Sequence, residues 1–308
     1  MIDDITVIIR SSNERTEAAC YAIIEKQVHF KNIFVLNEKP FYNAVIKGFK
    51  VGMEQQKKWT LTVDADLLLK SNAIEEMIRR AGSLKGDLFI YQGYVLDKLF
   101  GRCREGGPHL YATRHLDKAL RILESQPDSL RPESYTYRIM AEQGYSYHVD
   151  TQIYGLHDYE QYNLDIIRKA FFHSKKHDKP KLVKEFLLHW LDNFRDDCDY
   201  KMAFLGLTYG LFYNGKLEVD AEFFEKISNK IASVHSIEEK DYLKSNQWNG
   251  TFVDRIINDH LKVQGLKGLK KKQLPKRTKP FLRFNLFSRV RRKIGSILSA
   301  LGKKMSDY

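Results

Sequence analysis

WTLTVDADLLL, residues 59–69, runs five strand-forming side chains straight into two carboxylates one residue apart, Asp64 and Asp66. A buried strand that ends in paired acids must supply water, a cation or a partner group for them, because an uncompensated buried carboxylate is costly. Upstream, ITVIIR (5–10) and NIFVL (32–36) read as strands. NERTEAACYAIIEKQ (13–27), with Asn13 as a cap, and FYNAVIKGFKVGMEQQ (41–56) read as helices. Downstream, SNAIEEMIRRAG (71–82) predicts a helix begun by Ser71 or Asn72 and stopped by Gly82, and DLFIYQGY (87–94) predicts a fourth strand. Strands alternating with helices of this length predict an α/β, Rossmann-like domain of βαβ units, its sheet mainly parallel with helices on both faces. In such sheets ligands bind beyond the carboxyl ends of the strands, which is where Asp64 and Asp66 stand.

Hard divalent cations such as Mn2+ or Mg2+ take oxygen ligands, and a nucleotide diphosphate bridged by such an ion is held by one or two carboxylates. Alternate residues of an extended segment point the same way, so Asp64 and Asp66 can serve one site. The competing reading makes them solvated loop acids, one of them capping the next turn.

The surrounding pattern resembles the GT-A nucleotide-sugar glycosyltransferases, the inverting family 2 type in particular, over residues 5 to about 160. ITVIIRSSNER is similar to that family's opening strand and loop, LNEKPF to the end of its second strand, and NAVIKGFKVGMEQQKKWTLTVDADLLLKSNAIEEM to its helix, strand, D-x-D, loop and helix. The resemblance implies a metal-dependent transferase moving a sugar from a nucleotide diphosphate donor to a hydroxyl of a lipid-linked glycan. By position it implies that Arg10, Asn13, Glu14 and Glu38 contact the nucleotide, that Asp64 meets its ribose or the metal, and that Asp66 binds the metal. RPESYTYRIMAEQGY (131–145) resembles the family's segment that carries the acceptor's general base. An acidic pair there is reduced to Glu133–Ser134, so Glu133 is the one carboxylate for that role, which needs hydrogen-bond reach to the nucleophile. The alternative is that Glu133 is a first-turn acid after Pro132, favoured by the helix dipole. In YHVDTQIYGLHDYEQ (147–161) the resemblance places a metal-binding histidine at His157; His148 and His109 are alternatives, the latter in GRCREGGPHLY (101–111), read as a loop that folds over the donor sugar or as a long turn.

The body of 1–162 is therefore expected to be the catalytic domain, followed by a helical region at 163–262, where KLVKEFLLHWLDNF, MAFLGLTYGLFY and AEFFEKISNKIASV keep helical spacing. With 308 residues and 43% hydrophobic content, the chain can bury a large core. Three cysteines without C-x-x-C spacing suggest neither a disulfide framework nor a zinc ribbon. MIDDITVIIR lacks the basic start of a secretory signal, and AFLGLTYGLFY (203–213) is far shorter than the roughly 20 residues that span a bilayer. The expectation is a cytoplasmic protein.

The net charge of +12 is confined to one end: residues 262–306 carry 15 Lys and Arg and no acid, whereas the preceding 261 hold 36 bases against 38 acids. Residues 263–308 read as a basic linker and a helix over 281–304, whose apolar face of Phe287, Val290, Ile294, Ile297, Leu298 and Leu301 lies among Arg289, Arg291, Arg292 and Lys293. Such a helix suits the surface of an anionic membrane. Nucleic acid is the rival partner, less favoured because PFLRFNLF adds large apolar groups that phosphate contacts do not need. Two other readings stand beside the transferase. A nucleotidyltransferase would want a glycine-rich loop where SSNER has none, and a non-enzymatic adaptor would act through the tail alone.

Overall fold

The computed structural model describes residues 2–127, 132–176, 180–215, 221–243, 247–264 and 272–273. Along the chain lie β1 (Ile5–Arg10), α1 (Glu17–Glu25), β2 (Ile33–Leu36), α2 (Phe41–Glu54), β3 (Trp59–Asp64), β4 (Leu67–Leu69), α3 (Ala73–Gly82), β5 (Leu88–Asp97) and β6 (Arg102–Ala112). There follow α4 (Leu116–Glu124), α5 (Pro132–Glu142), β7 (Ser146–His157), α6 (Asn163–Lys176), α7 (Pro180–Asn193), α8 (Cys198–Phe212), α9 (Ala221–Val234), α10 (Gly250–Gln264) and β8 (Lys272–Gln273).

The strands form one sheet in the order β2-β1-β3-β6-β5-β7-β4, with β8 paired to β7. The expected parallel frame holds for β2-β1-β3 and for β5-β7. The sheet as a whole is mixed, because β6 runs antiparallel between β3 and β5, and β4 and β8 run antiparallel to β7. This corrects the mainly parallel expectation, and its physical cause is the segment 101–111. Instead of a loop or long turn, it is the second strand of a hairpin, pairing from Asp97↔Arg102 onwards with a bulge at Gln92/Gly93.

Alternation along the central strands feeds two cores. Ile5, Val7 and Ile9 of β1, with Leu61 and Val63 of β3, pack with α1, α3 and α10 on one face. Phe89, Ile90 and Tyr111 pack with α2, α4 and α5 on the other. The chain divides into two compact units, one of residues 2–98, 102–160 and 242–264 with 272–273, the other of 99–101 and 161–241. Residues 242–262, expected to continue the helical region, thus fold with the sheet: Val253 and Ile257 of α10 are buried in its core. The tail expected to hold an amphipathic helix at 281–304 lies outside the described residues. No helix among the described residues is long and apolar enough to cross a membrane.

The second unit is held by α6 against α8, and Gly206 explains their closeness: a Cβ there would lie 2.3 Å from the Ile167 carbonyl oxygen. Gly206→Ala must separate the two backbones and is expected to destabilise this unit by about 1–3 kcal/mol, the usual cost of overpacking. Gly82, where a Cβ would meet nothing within 4 Å, is the control. Gly82→Ala should be neutral or stabilising by up to about 1 kcal/mol. Thermal melts of the two variants check both signs.

Candidate active site

Two groups of polar side chains meet beyond the carboxyl ends of β1 and β3 and at the end of β7. The first is built on Arg10, the last residue of β1, whose side chain is only 5% exposed. Its Nε donates to Asp64 Oδ1 at 2.8 Å and its Nη1 to Glu133 Oε1 at 2.8 Å. The register of β1 on β3 sets Arg10 directly beside Asp64, and α5 delivers Glu133 from its first turn. The Tyr111 hydroxyl donates to the same Glu133 oxygen at 3.1 Å and lies 2.7 Å from the Tyr137 hydroxyl. Burial would raise the Glu133 carboxyl, but the Arg10 guanidinium, His109 and the Tyr111 hydroxyl outweigh it and hold the acid below the ordinary range. Burial and the Glu133 anion push the Tyr111 and Tyr137 hydroxyls far up, so both stay protonated.

The second group surrounds His157. Parallel register of β5 on β7 puts Asp97 beside His157, and antiparallel register of β4 on β7 puts Leu67, the residue after Asp66, on its other side. Asp158 N donates to the Asp66 carbonyl at 3.1 Å, which brings the two acids to one place; Asp158 takes a left-handed φ of 57° there. His157 Nδ1 lies 3.0 Å from Asp158 and 3.1 Å from Asp97, and Nε2 lies 3.6 Å from Asp66. Burial would lower the imidazole, but these carboxylates, Asp158 and Asp66 foremost, push it up to about 10 against the opposing charge of Arg104. Arg104 of β6 donates to the fully buried Asp97 at 2.5 Å, and its Nη2 sits 3.1 Å from His157 Nε2. Arg104 and His157 outweigh burial and hold Asp97 well below the carboxylate range.

Asp66, His157 and Asp158 each offer a ligand atom, all within 4.8 Å of one another. Atoms bonded to one ion at roughly 2.1 Å lie at most about 4.2 Å apart, so the group closes onto an ion with small side-chain movements, and two carboxylate oxygens with one imidazole nitrogen suit Mn2+ or Mg2+. The donor set therefore fits a hard divalent cation.

Of the residues singled out in the sequence, Arg10, Asp64 and Glu133 come together as one ion-pair network, and Asp66 meets His157 in the other. Asp64 ends β3 and Asp66 sits in the turn at 65–66, so the two do not extend one strand, which is why they part: Asp64 turns to Arg10, Asp66 to His157. Glu14 accepts from Ser11 Oγ and from Ser12 N, folding the loop after β1 on itself, with Asn13 at a φ of 67° and exposed. Thr16 Oγ1 donates to the Ala65 carbonyl at 2.7 Å and so ties that loop to the Asp64–Asp66 turn. Glu38 is exposed in the β2–α2 connection, whose start is fixed to the β1 exit by Ser11 N donating to the Leu36 carbonyl. His148 stacks on Tyr91 instead of joining the ion-binding group. His109 lies in the Arg10 group, 3.7 Å from Glu133. Asp97, Arg104, Asp158, Tyr111 and Tyr137 were not singled out in the sequence.

No protein-family profile matches the chain, and no curated protein matches it in sequence. Among solved structures, mannosyltransferase PcManGT from Pyrobaculum calidifontis, in complex with GDP-Man and Mn2+, matches over 99% of this chain and 87% of that one, at 10% identity and a TM-score of 0.36. A likeness at that level assigns nothing to this chain.

The network sets an acid limit to stability. Burial would raise Glu133, Glu76 and Asp150, yet Arg10, the Lys70–Arg80 pair, and Tyr91 with Arg80 respectively hold them low. Their folded values lie below the roughly 3.9–4.3 of an unfolded chain, so the stability they contribute is present above that range and lost as pH falls through the folded values. Melting temperature should drop steeply below about pH 4. Glu133→Gln should show a shallower acid decline in circular-dichroism melts; an unchanged slope would remove Glu133 from the account.

Proposed function

We propose that the protein is a divalent-metal-dependent glycosyltransferase using a nucleotide diphosphate sugar. The observation that carries this reading is the Asp66–His157–Asp158 group standing with the pair of buried Arg10 and solvent-facing Asp64 at the carboxyl ends of the sheet's strands. A diphosphate leaving group needs positive charge where its own negative charge develops, and a metal-ion site beside a fixed guanidinium answers that need. Asp66, His157 and Asp158 would hold Mn2+ or Mg2+, which when bound supplies Lewis-acid stabilisation of the diphosphate. The resemblance drawn from ITVIIRSSNER, LNEKPF and WTLTVDADLLL supports the same reading. In it Arg10 and Asp64 set the floor of the nucleotide site, Asn13 and Glu14 its β1 loop, and Glu38 its outer wall.

Glu133, the residue expected to act as base, already accepts from Arg10 and Tyr111 and is held low, which favours a fixed anion over a proton acceptor. We therefore give it the positioning of Arg10. The acceptor belongs to this proposal as a hydroxyl of a lipid-linked glycan, and the location at the inner face of an anionic membrane follows from the basic residues of 281–304. Incubation with UDP-, GDP- and dTDP-hexoses, with and without Mn2+, tests the reading through release of nucleoside diphosphate. Metal-dependent release from one donor class is expected; no release from any donor would overturn it.

A further inference from the structure

Phe41, the first residue of α2, is 47% exposed and joins neither core of the sheet domain. The helix behind it is fixed. Val45 and Phe49 are buried, the Tyr42 hydroxyl donates to the Leu123 carbonyl at 3.2 Å, and Asn43 donates from its backbone to the Pro40 carbonyl at 2.9 Å. The ring itself lies against Arg10, whose guanidinium carbon is 4.9 Å from the ring centre. A cation over an aromatic face is a favourable contact, so the buried end of β1 holds one side of Phe41 and the exposed remainder meets solvent.

Arg10 also ties this ring to the ion-binding group. Its Nε donates to Asp64 at 2.8 Å, and its carbonyl accepts from Ala65 N at 2.9 Å, so the turn that carries Asp66 begins on the backbone of the residue Phe41 covers. Asp64 stands between the two with its side chain 39% exposed. From Phe41 through Asp64 to Asp66 the order is an apolar ring, a solvent-facing carboxylate and a metal ligand. A nucleoside diphosphate has the matching order of flat base, ribose hydroxyls and metal-binding diphosphate.

Resting on the transferase reading above, we propose that Phe41 is the platform on which the donor's nucleobase stacks, with Arg10 holding the ring from one side and Asp64 accepting from the ribose hydroxyls. Every base presents a π face, so such a ring adds affinity for a nucleotide over a bare diphosphate whichever base the donor carries. A ring whose backbone is already fixed by α2 loses little freedom when the base arrives. A mere cover for Arg10 would serve equally well as any apolar side chain of similar size, and that difference can be measured.

The full chain is titrated by calorimetry with UDP, GDP and inorganic pyrophosphate, each with Mn2+. The wild type should bind one of the nucleotides at least about tenfold tighter than pyrophosphate. Phe41→Leu, which still covers Arg10 but cannot stack, should weaken that nucleotide on the order of 10-fold or more and leave pyrophosphate within about threefold. Phe41→Tyr keeps the ring and should stay within about threefold of wild type for both. Nucleotide affinity unchanged in Phe41→Leu, or lost in step with pyrophosphate, would overturn the proposal. Equal affinity of the wild type for nucleotide and pyrophosphate would also overturn it, while leaving the metal and diphosphate site standing. Binding of neither would end both this inference and the transferase reading.

Discussion

Asp66→Asn is expected to abolish metal-dependent donor turnover, by about 100-fold or more, while the sheet domain stays folded. Losing a metal ligand does more than losing a supporting group, which alone typically costs 10–100-fold. Asparagine keeps the shape and the backbone carbonyl to which Asp158 N donates, so the turn joining Asp66 to Asp158 persists. It removes one of the carboxylates that face His157, so in the absence of metal the imidazole should titrate nearer its ordinary value. Turnover measured against Mn2+ concentration checks the claim. A variant whose activity and metal dependence match the wild type would place the ion elsewhere.

Arg10→Leu is the substitution expected to damage the fold most. The guanidinium is buried at the end of β1 and holds two carboxylates, Asp64 and Glu133. Removing one partner of a buried ion pair leaves charge without compensation and typically costs about 3–5 kcal/mol. The loss should not be additive. In Arg10→Leu combined with Asp64→Asn and Glu133→Gln no uncompensated charge remains, so much of the stability should return, while nucleotide binding does not. Urea denaturation of the single and triple variants tests this. A single variant within about 0.5 kcal/mol of wild type would mean that the network is a surface feature.

What could be read in advance divides along physical lines. Runs of strand-forming residues revealed β1, β2, β3 and β5, because a strand buried on both faces, as β1, β3 and β5 are, writes its apolar run into contiguous residues, and helical spacing revealed most helix positions. β6 hid behind composition: GRCREGGPHLY carries three glycines, a proline and three charges, which read as a turn, yet pairing with both β3 and β5 overrides those preferences. That strand accounts for two of the antiparallel pairings, and β4 and β8 against β7 supply the others. In the candidate site, Asp66 was singled out as the second acid after a strand-forming run and His157 from the resemblance of its segment, and the structure brings the two together. Asp97 ends YVLD much as Asp64 ends LTVD, and this signal was available in the sequence. Arg104 and Tyr111 had no such signal, since their roles arise from register across the hairpin and from α5 packing. The Arg10–Glu133 pair joins residues 123 apart in the chain, and no local pattern reports a contact of that span.

The central claim is that one ion, held by Asp66, His157 and Asp158, draws a nucleotide diphosphate to this end of the sheet. Isothermal titration of the protein with UDP and with GDP, each in the presence and absence of Mn2+, addresses it without needing the sugar or the acceptor. The account predicts that one of the two binds at least about tenfold tighter with Mn2+, a difference of about 1.4 kcal/mol, and that Asp66→Asn removes the gain. Equal affinity with and without the metal, or a gain that survives in Asp66→Asn, would contradict it.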